Sequence, residues 1–339
     1  MGELIVTITT WDKPNYELFD GESQNYRIQE YLIDEPGMFC RNGENETFFD
    51  QNMSRKDGVR ILFNLRIDDG RQFVIGDKDQ IEDLWIQSKN EQQIRQNDVI
   101  KLGKKVLKVL NISNENNLHL THYQNVVIQI QNVETSFLES QNMCRICLEH
   151  TCNTSNPLLS LCRCCGSTKY VHYECVKTWL YGKMQAKQSQ YCTEINAKSV
   201  RCEICQSFYP SMVYTGDNVL GLYNLDNLKY HVVLEDVENQ IIMVLNFGDQ
   251  TTLTVGRGHE SNIKISEITI SRTHLALVIR NNKLYIEDKN SKFGTLIKLQ
   301  KARRIEKNET LFLQSGRSRI MIKHKEKRKR CALLCNFLE

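Results

Sequence analysis

Four pairs of potential metal ligands run along the middle of the chain. Cys144 and Cys147 form a C-x-x-C pair, and Cys162 and Cys164 follow as C-x-C after 14 residues. His172 and Cys175 form H-x-x-C, and Cys202 and Cys205 close the series as a second C-x-x-C after a further 26 residues. Thiolate and imidazole are the preferred structural ligands of zinc, and eight of them make two closed tetrahedral sites. No position is left for an activated water, so the expected cofactors are two structural Zn2+ ions rather than a hydrolytic metal. Six cysteines fall outside the pattern: Cys40, Cys152, Cys165, Cys192, Cys331 and Cys335. They read as small buried or exposed thiols. His150 and Cys152 are spare donors near the first pair, and Cys165 adjoins Cys164 and competes with it.

Composition supports a reducing compartment. The chain has 339 residues and 13 cysteines, an odd number. Its start, MGELIVTITTWDKPNY, has no basic segment and no continuous apolar core of the secretory kind. Disulfides rarely persist in such a setting, and a cysteine cluster is then read as a metal site. Val6 stands where a myristoylation signal needs Ser or Thr. The formal charge of +3 does not suggest nucleic acid as a primary partner. No apolar run is long enough for a transmembrane segment. A Gly-rich phosphate loop, a nucleophile elbow and a catalytic carboxylate pair are all lacking.

The order of four Cys, one His and three Cys resembles the RING-CH (RING-variant) zinc finger of membrane-associated ubiquitin ligases. The stretch PLLSLCRCCGSTKYVHYECVKTWL carries a C-x-C-x-G-S-x-x-Y-V-H-x-x-C-x-x-x-W-L arrangement like that of the family. A PHD finger shares the ligand order but has a shorter gap before the histidine and a tryptophan just before its last pair. The resemblance implies a cross-brace. Cys144, Cys147, His172 and Cys175 would hold one zinc, and Cys162, Cys164, Cys202 and Cys205 the other. It also implies docking of a ubiquitin-conjugating enzyme against Ile146, Trp179 and Pro210, with catalysis by positioning of the thioester-linked ubiquitin and no catalytic nucleophile in the finger. Gln206 stands where strong ligases often carry an Arg or Lys that bridges to ubiquitin.

Downstream, VGRGHESNIKISEITISRTHLALVIRNNKLYIEDKNSKFGTLIK is a series of short β-branched runs between polar turns, the pattern of a β-sandwich. Gly256-Arg257, Ser271-Arg272-x-His274, Asp288 and Ser291-Lys292-Phe293-Gly294-Thr295 resemble a forkhead-associated (FHA) domain, a phosphothreonine reader. Arg257 would supply a forked donor to phosphate, Ser271 a short hydroxyl donor, and Arg272 and Lys292 added positive charge. His274 and Gly294 match positions that shape the loops. Many FHA domains have Asn-Gly-Thr where this chain has Phe293-Gly294-Thr295, so the peptide contacts are expected to differ.

The elements that must position these residues extend to the N-terminus. FCRNGENETFFDQNMSRKDGVRILFN parallels VGRGHESNIKISEITISRTHLALVIRN, with Arg41 against Arg257 and Ser54-Arg55 against Ser271-Arg272. Asn97–Gly103 parallels Asn308–Gln314 as a late hairpin. The expected architecture is mainly β: two FHA-like β-sandwiches flanking a small α+β cross-brace zinc finger. Residues 1–120 form the degenerate FHA-like copy, 121–140 an Asn/Gln-rich linker, 141–211 the finger, 225–325 the FHA domain and 326–339 a basic tail. Residues 176–201 begin as a helix carrying Trp179 and Leu180. Six of the eight residues Lys323–Arg330 are Lys or Arg. That tail reads as a solvated segment, as a nuclear address or acidic-partner contact, or as a basic patch beside a lipidated Cys331 or Cys335.

The combined expectation is a ubiquitin-protein ligase, a RING-type transferase without a transmembrane segment, that recruits phosphothreonine proteins to a charged conjugating enzyme. Its expected location is cytoplasmic or nuclear, with peripheral membrane or large-assembly association open. The rival reading is a non-catalytic, zinc-stapled FHA scaffold for protein-protein interaction.

Overall fold

The computed structural model describes residues 3–11, 18, 26–43, 45–52, 57–76, 83–88, 91–113, 142–151, 153, 155–184, 186–210, 212–215, 218–222 and 228–325. The expected linker 121–140, the tail 326–339, Ser54, Arg55, Cys152, Cys331 and Cys335 lie outside the described residues. The protein is mainly β. Its N-terminal strands are β1 (Leu4–Trp11), β2 (Tyr26–Ile33), β3 (Gly37–Arg41), β4 (Thr47–Asp50), β5 (Arg60–Asp68), β6 (Arg71–Ile75), β7 (Leu84–Ser88), β8 (Gln92–Ile94), β9 (Val99–Leu102) and β10 (Lys105–Ser113). The cysteine-rich middle holds β11 (Leu158–Leu159), β12 (Val171–His172), α1 (Tyr173–Lys183), β13 (Lys187–Gln188), β14 (Cys192–Asn196), β15 (Met212–Thr215) and β16 (Asn218–Gly221). The C-terminal strands are β17 (His231–Asp236), β18 (Ile241–Asn246), β19 (Thr252–Gly256), β20 (Ile263–Lys264), β21 (Leu275–Arg280), β22 (Lys283–Asp288), β23 (Thr295–Lys298), β24 (Arg303–Arg304), β25 (Thr310–Ser315) and β26 (Ser318–His324).

Two compact units divide the chain. The first joins residues 1–87 to 296–339, and the second is the continuous stretch 88–295. In the first unit, one sheet runs β7-β25-β26-β1-β2 and the other β24-β6-β5-β3-β4. Alternation drives the assembly: Leu4, Val6 and Ile8 of β1 are buried while the residues between them are half exposed. Val6 lies opposite Ile322, and Ile8 opposite Ile320. These residues share one core with Phe39, Phe63, Leu65 and Leu313.

The second unit repeats the plan. One of its sheets runs β20-β19-β21-β22-β8, the same order as β4-β3-β5-β6-β24 of the first unit. Its other sheet runs β13-β14-β18-β17-β10-β9. The late hairpins are therefore exchanged. The hairpin β9–β10, which follows the N-terminal strands in sequence, completes the sheet of β17. The hairpin β25–β26 completes the sheet of β1. Both edges of β1 are used, by β2 and β26, and both edges of β17, by β18 and β10. Two similar halves offer similar edges, which is the condition under which identical elements swap.

An ion pair seals the exchanged strand in the second unit. Lys105 Nζ of β10 lies 2.9 Å from Asp236 of β17, both largely buried. Burial raises the Asp236 carboxyl, but the bonds from Lys105 and Asn239 outweigh it and hold it below its ordinary value. A lowered folded value means that this contribution is complete above the unfolded carboxylate range, near about 4, and is lost as pH falls through the folded value.

The finger occupies the same second unit. After α1 the chain forms the short hairpin β13–β14. Strand β14 pairs antiparallel with β18 from Cys192↔Leu245 to Asn196↔Ile241. The finger's Leu159, Val176, Leu180 and Val200 share a core with Val233, Ile242 and Val244 of the sandwich.

Two outcomes test this arrangement. A Thr7→Cys/Met321→Cys double variant should crosslink within one chain under mild oxidation, because those residues face each other across β1 and β26. Closure of each half on its own hairpin would instead favour Thr7→Cys/Lys108→Cys, which should stay reduced; peptide mapping reads both. Lys105→Met should cost roughly 3 kcal/mol at neutral pH by leaving a buried carboxylate without its cation. That deficit should shrink on acidification, as followed by urea denaturation.

Candidate metal centre and phosphate loops

Two ligand sets converge in the finger. The donor atoms of Cys144, Cys147, His172 and Cys175 lie within 4.8 Å of one another, and so do those of Cys162, Cys164, Cys202 and Cys205. The interleaved grouping expected of a cross-brace is present. A tetrahedral zinc with sulfur at about 2.3 Å needs sulfur–sulfur edges of about 3.8 Å. Cys164 Sγ and Cys202 Sγ are 3.7 Å apart. His172 Nδ1 lies 3.2 Å from Cys147 Sγ and 4.0 Å from Cys175 Sγ.

Local backbone geometry explains how each pair is aimed. In the first pair, Leu148 N donates to the Cys144 carbonyl, and Ile146 N donates to Cys144 Sγ at 3.4 Å. The last pair repeats the turn, with Gln206 N donating to the Cys202 carbonyl. The residue that leaves each turn is left-handed: Leu148 at φ 63° and Gln206 at φ 59°. His172 caps α1, and Cys175 sits in its first turn, so a separation of three residues turns both toward one point. Tyr173, Val176 and Leu180 form the buried face of that helix. His172 Nε2 lies 2.5 Å from the Thr151 carbonyl. Donation there assigns the ring hydrogen to Nε2 and leaves the Nδ1 lone pair for a metal.

The thiols show why the sets suit a cation. Burial, then the neighbouring thiol of its own set, pushes Cys164 and Cys175 up to about 12. Burial also opposes ionisation of Cys144 and Cys205, but N–H and hydroxyl donors bring them down to about 7 and about 6. Crowded sulfurs ionise together when a divalent ion stands among them. The donor types, spacings and secondary hydrogen bonds fit two structural zinc ions.

The three docking candidates differ in exposure. Ile146 is 42% exposed, whereas Trp179 and Pro210 are half-buried. Trp179 packs edge-on against Tyr209 with ring centroids 6.0 Å apart, and Lys183 Nζ sits 4.4 Å above the indole. Two exposed apolar residues went unmarked in the sequence reading: Leu148 at 64% and Ile204 at 60%. Each lies in or beside a metal-binding turn, where a short apolar residue carries no periodic signal.

The second cluster is built from loops at one end of the β19–β22 sheet. Arg257 N donates to the Ser271 carbonyl and Gly258 N to the Arg272 carbonyl, both at 3.0 Å. Lys292 N donates to Ser271 Oγ at 3.0 Å, which leaves the hydroxyl hydrogen to donate outward. The structure thus ties together the loops bearing Arg257, Ser271, Arg272 and Lys292, and the three cations are exposed. His274 is fully buried; its Nδ1 accepts from Ser271 N, and its Nε2 faces the Gly294 carbonyl at 3.3 Å. Burial pulls its pKa below the ordinary value despite Asp288 and the Gly294 carbonyl, so the ring is a neutral brace between two loops. Asp288 accepts from Ser291 N, Ser291 Oγ and Thr295 Oγ1.

The N-terminal counterpart differs in kind. Arg41 is 1% exposed, and its Nη1 donates to Ser318 Oγ at 2.9 Å. It is an interior residue of its sandwich, whereas Arg257 faces solvent.

Comparison with known proteins agrees with both clusters. Residues 144–205 match the RING-variant domain, and residues 253–322 match the FHA domain. The second match runs past 295, where the chain passes from one unit to the other. The E3 ubiquitin-protein ligase MARCHF7 of Rattus norvegicus is 37% identical over 68 residues, covering 20% of this chain and 9% of the relative. That of Pongo abelii is 35% identical over 74 residues, covering 22% and 10%. The probable E3 ubiquitin-protein ligase MARCHF10 of Homo sapiens is 38% identical over 68 residues, covering 20% and 8%. The aligned part thus spans about a tenth of these curated relatives. No helix among the described residues is long and apolar enough to cross a membrane.

Gly256 offers a direct test of the loop cluster. A Cβ there would meet the Arg272 carbonyl oxygen at 1.9 Å. Gly256→Ala should displace the Ser271–Arg272 loop and cost about 1–3 kcal/mol, with amide shifts concentrated at 257, 271–274 and 292–294 in NMR spectra.

Proposed function

We propose that this chain, which carries a RING-variant domain and an FHA domain, is a ubiquitin-protein ligase that reads phosphothreonine. Cys144, Cys147, His172 and Cys175 hold one zinc, and Cys162, Cys164, Cys202 and Cys205 hold the other. Ile146, Trp179 and Pro210 form the docking surface for a charged ubiquitin-conjugating enzyme. Arg257, Ser271, Arg272 and Lys292 receive the phosphate of the target. The finger contributes no nucleophile; it orients the thioester so that a target lysine attacks it. Residues 1–120 and 225–325 are two copies of one FHA-like repeat around the finger at 141–211, a view supported by the matching strand order of the two units.

One observation carries this reading. The β14–β18 ladder and the shared core join the finger to the sheet of β17, and the finger and the phosphate loops fall within one compact unit. A flexible tether raises local concentration only. Membership of one compact unit also restricts direction and distance, so a bound phosphoprotein would present a restricted set of lysines.

The test has two arms. Zinc-loaded full-length protein should discharge ubiquitin from at least one charged conjugating enzyme in a broad panel, with Ile146→Ala and Trp179→Ala each lowering the rate about tenfold or more. A phosphothreonine peptide array should yield ligands whose binding is lost with Arg257→Ala and after phosphatase treatment. Peptide binding without discharge across the panel would replace the ligase with a phosphothreonine-reading scaffold.

A further inference from the structure

Arg145 stands between Cys144 and Ile146 in the first metal turn, yet its guanidinium reaches the other ligand set. Nη1 donates to Cys162 Sγ at 3.4 Å and to the Thr168 carbonyl at 2.6 Å. Nη2 donates to Cys202 Sγ at 3.6 Å and to the Tyr209 hydroxyl at 2.6 Å. Its backbone amide donates to the Tyr170 carbonyl at 3.1 Å. One side chain from the first set thereby holds two sulfurs of the second, and those sulfurs come from different ligand pairs.

Charge and shape both fit this role. A zinc ion with four thiolates carries two net negative charges, and hydrogen bonds to the sulfurs lower the cost of that charge. A guanidinium is a planar, permanently charged fork that can serve two acceptors at once, which an ammonium on a flexible stem cannot reproduce. The chain of contacts continues from Arg145 to Tyr209, which is buried and packs edge-on against Trp179. Ile146, the next residue along the backbone, is thus connected to Trp179 through two side chains.

We propose that Arg145 is a positioning residue that braces the four-sulfur set from the turn of the other set and holds the Ile146 and Trp179 sides of the finger in register. The statement about the metal sets stands on the finger's geometry alone. The statement about Ile146 and Trp179 rests on the docking role proposed for them.

The test is metal loading of the full-length chain, which needs no ligase activity. Metal-free, reduced protein is titrated with Co2+, whose absorption bands distinguish a four-sulfur set from a three-sulfur, one-nitrogen set, and then with Zn2+ against a chelator. Arg145→Gln should weaken the four-sulfur set roughly 10–100-fold, while the set containing His172 stays close to wild type. Arg145→Lys should recover only part of the loss. Wild-type loading of both sets in both variants would overturn the proposal. If Arg145→Gln aggregates, Tyr209→Phe is the second variant: a several-fold loss confined to the four-sulfur set supports the bracing, and unchanged affinity there overturns it. Failure of ubiquitin discharge would leave these results standing.

Discussion

The backbone ladder between Cys192–Asn196 and Ile241–Asn246 is the constraint on which this molecule turns. It joins a zinc finger to a sandwich by the same hydrogen bonds that build a sheet, and side chains from both partners fill one core. A finger of this size has little apolar interior of its own. Here it gains one from its neighbour, so metal binding and sandwich packing support each other. Bending the finger away would break a run of paired amides and expose Val233, Ile242 and Val244, buried residues that otherwise never meet water.

The loops at one end of the β19–β22 sheet are held by a different set of bonds. A neutral histidine spans two loops, an aspartate gathers three donors from Ser291 and Thr295, and a glycine permits a backbone approach that no side chain could share. None of these residues needs to touch a ligand. They hold together the loops that carry Arg257, Arg272 and Lys292, whose side chains are exposed.

Much of the site was legible because its signals are local. Ligand pairs a few residues apart, a histidine and cysteine in one helical turn, and Gly256-Arg257 before Ser271-Arg272 can be read without knowing which strands meet. Non-local choices were not legible. Hairpins 99–113 and 310–324 have similar alternation, so nothing in their pattern states which sandwich each completes. The short strand at Cys192–Asn196 lies inside a polar insertion, and only its partner reveals it. Arg41 and Arg257 look equivalent when the repeats are aligned. Their burial separates them, because Ser318, which approaches Arg41, is 277 residues away. Arg145 carries no periodic signal, and its reach across the finger becomes visible only when Thr168 and Tyr209 are placed.

The exchanged hairpins also impose an order on biosynthesis. Residues 88–295 are continuous, so the strands of that unit are made before the segment 296–339 that completes the other unit. Residues 1–87 have no such advantage. The edge of β1 that receives β26, with its run of Ile and Thr, must wait for translation of a segment more than 300 residues downstream. A nascent chain therefore carries an unfilled β edge until residues 318–324 have been made. The interval before the last strand arrives is the period of greatest exposure to misassembly and to chaperone capture.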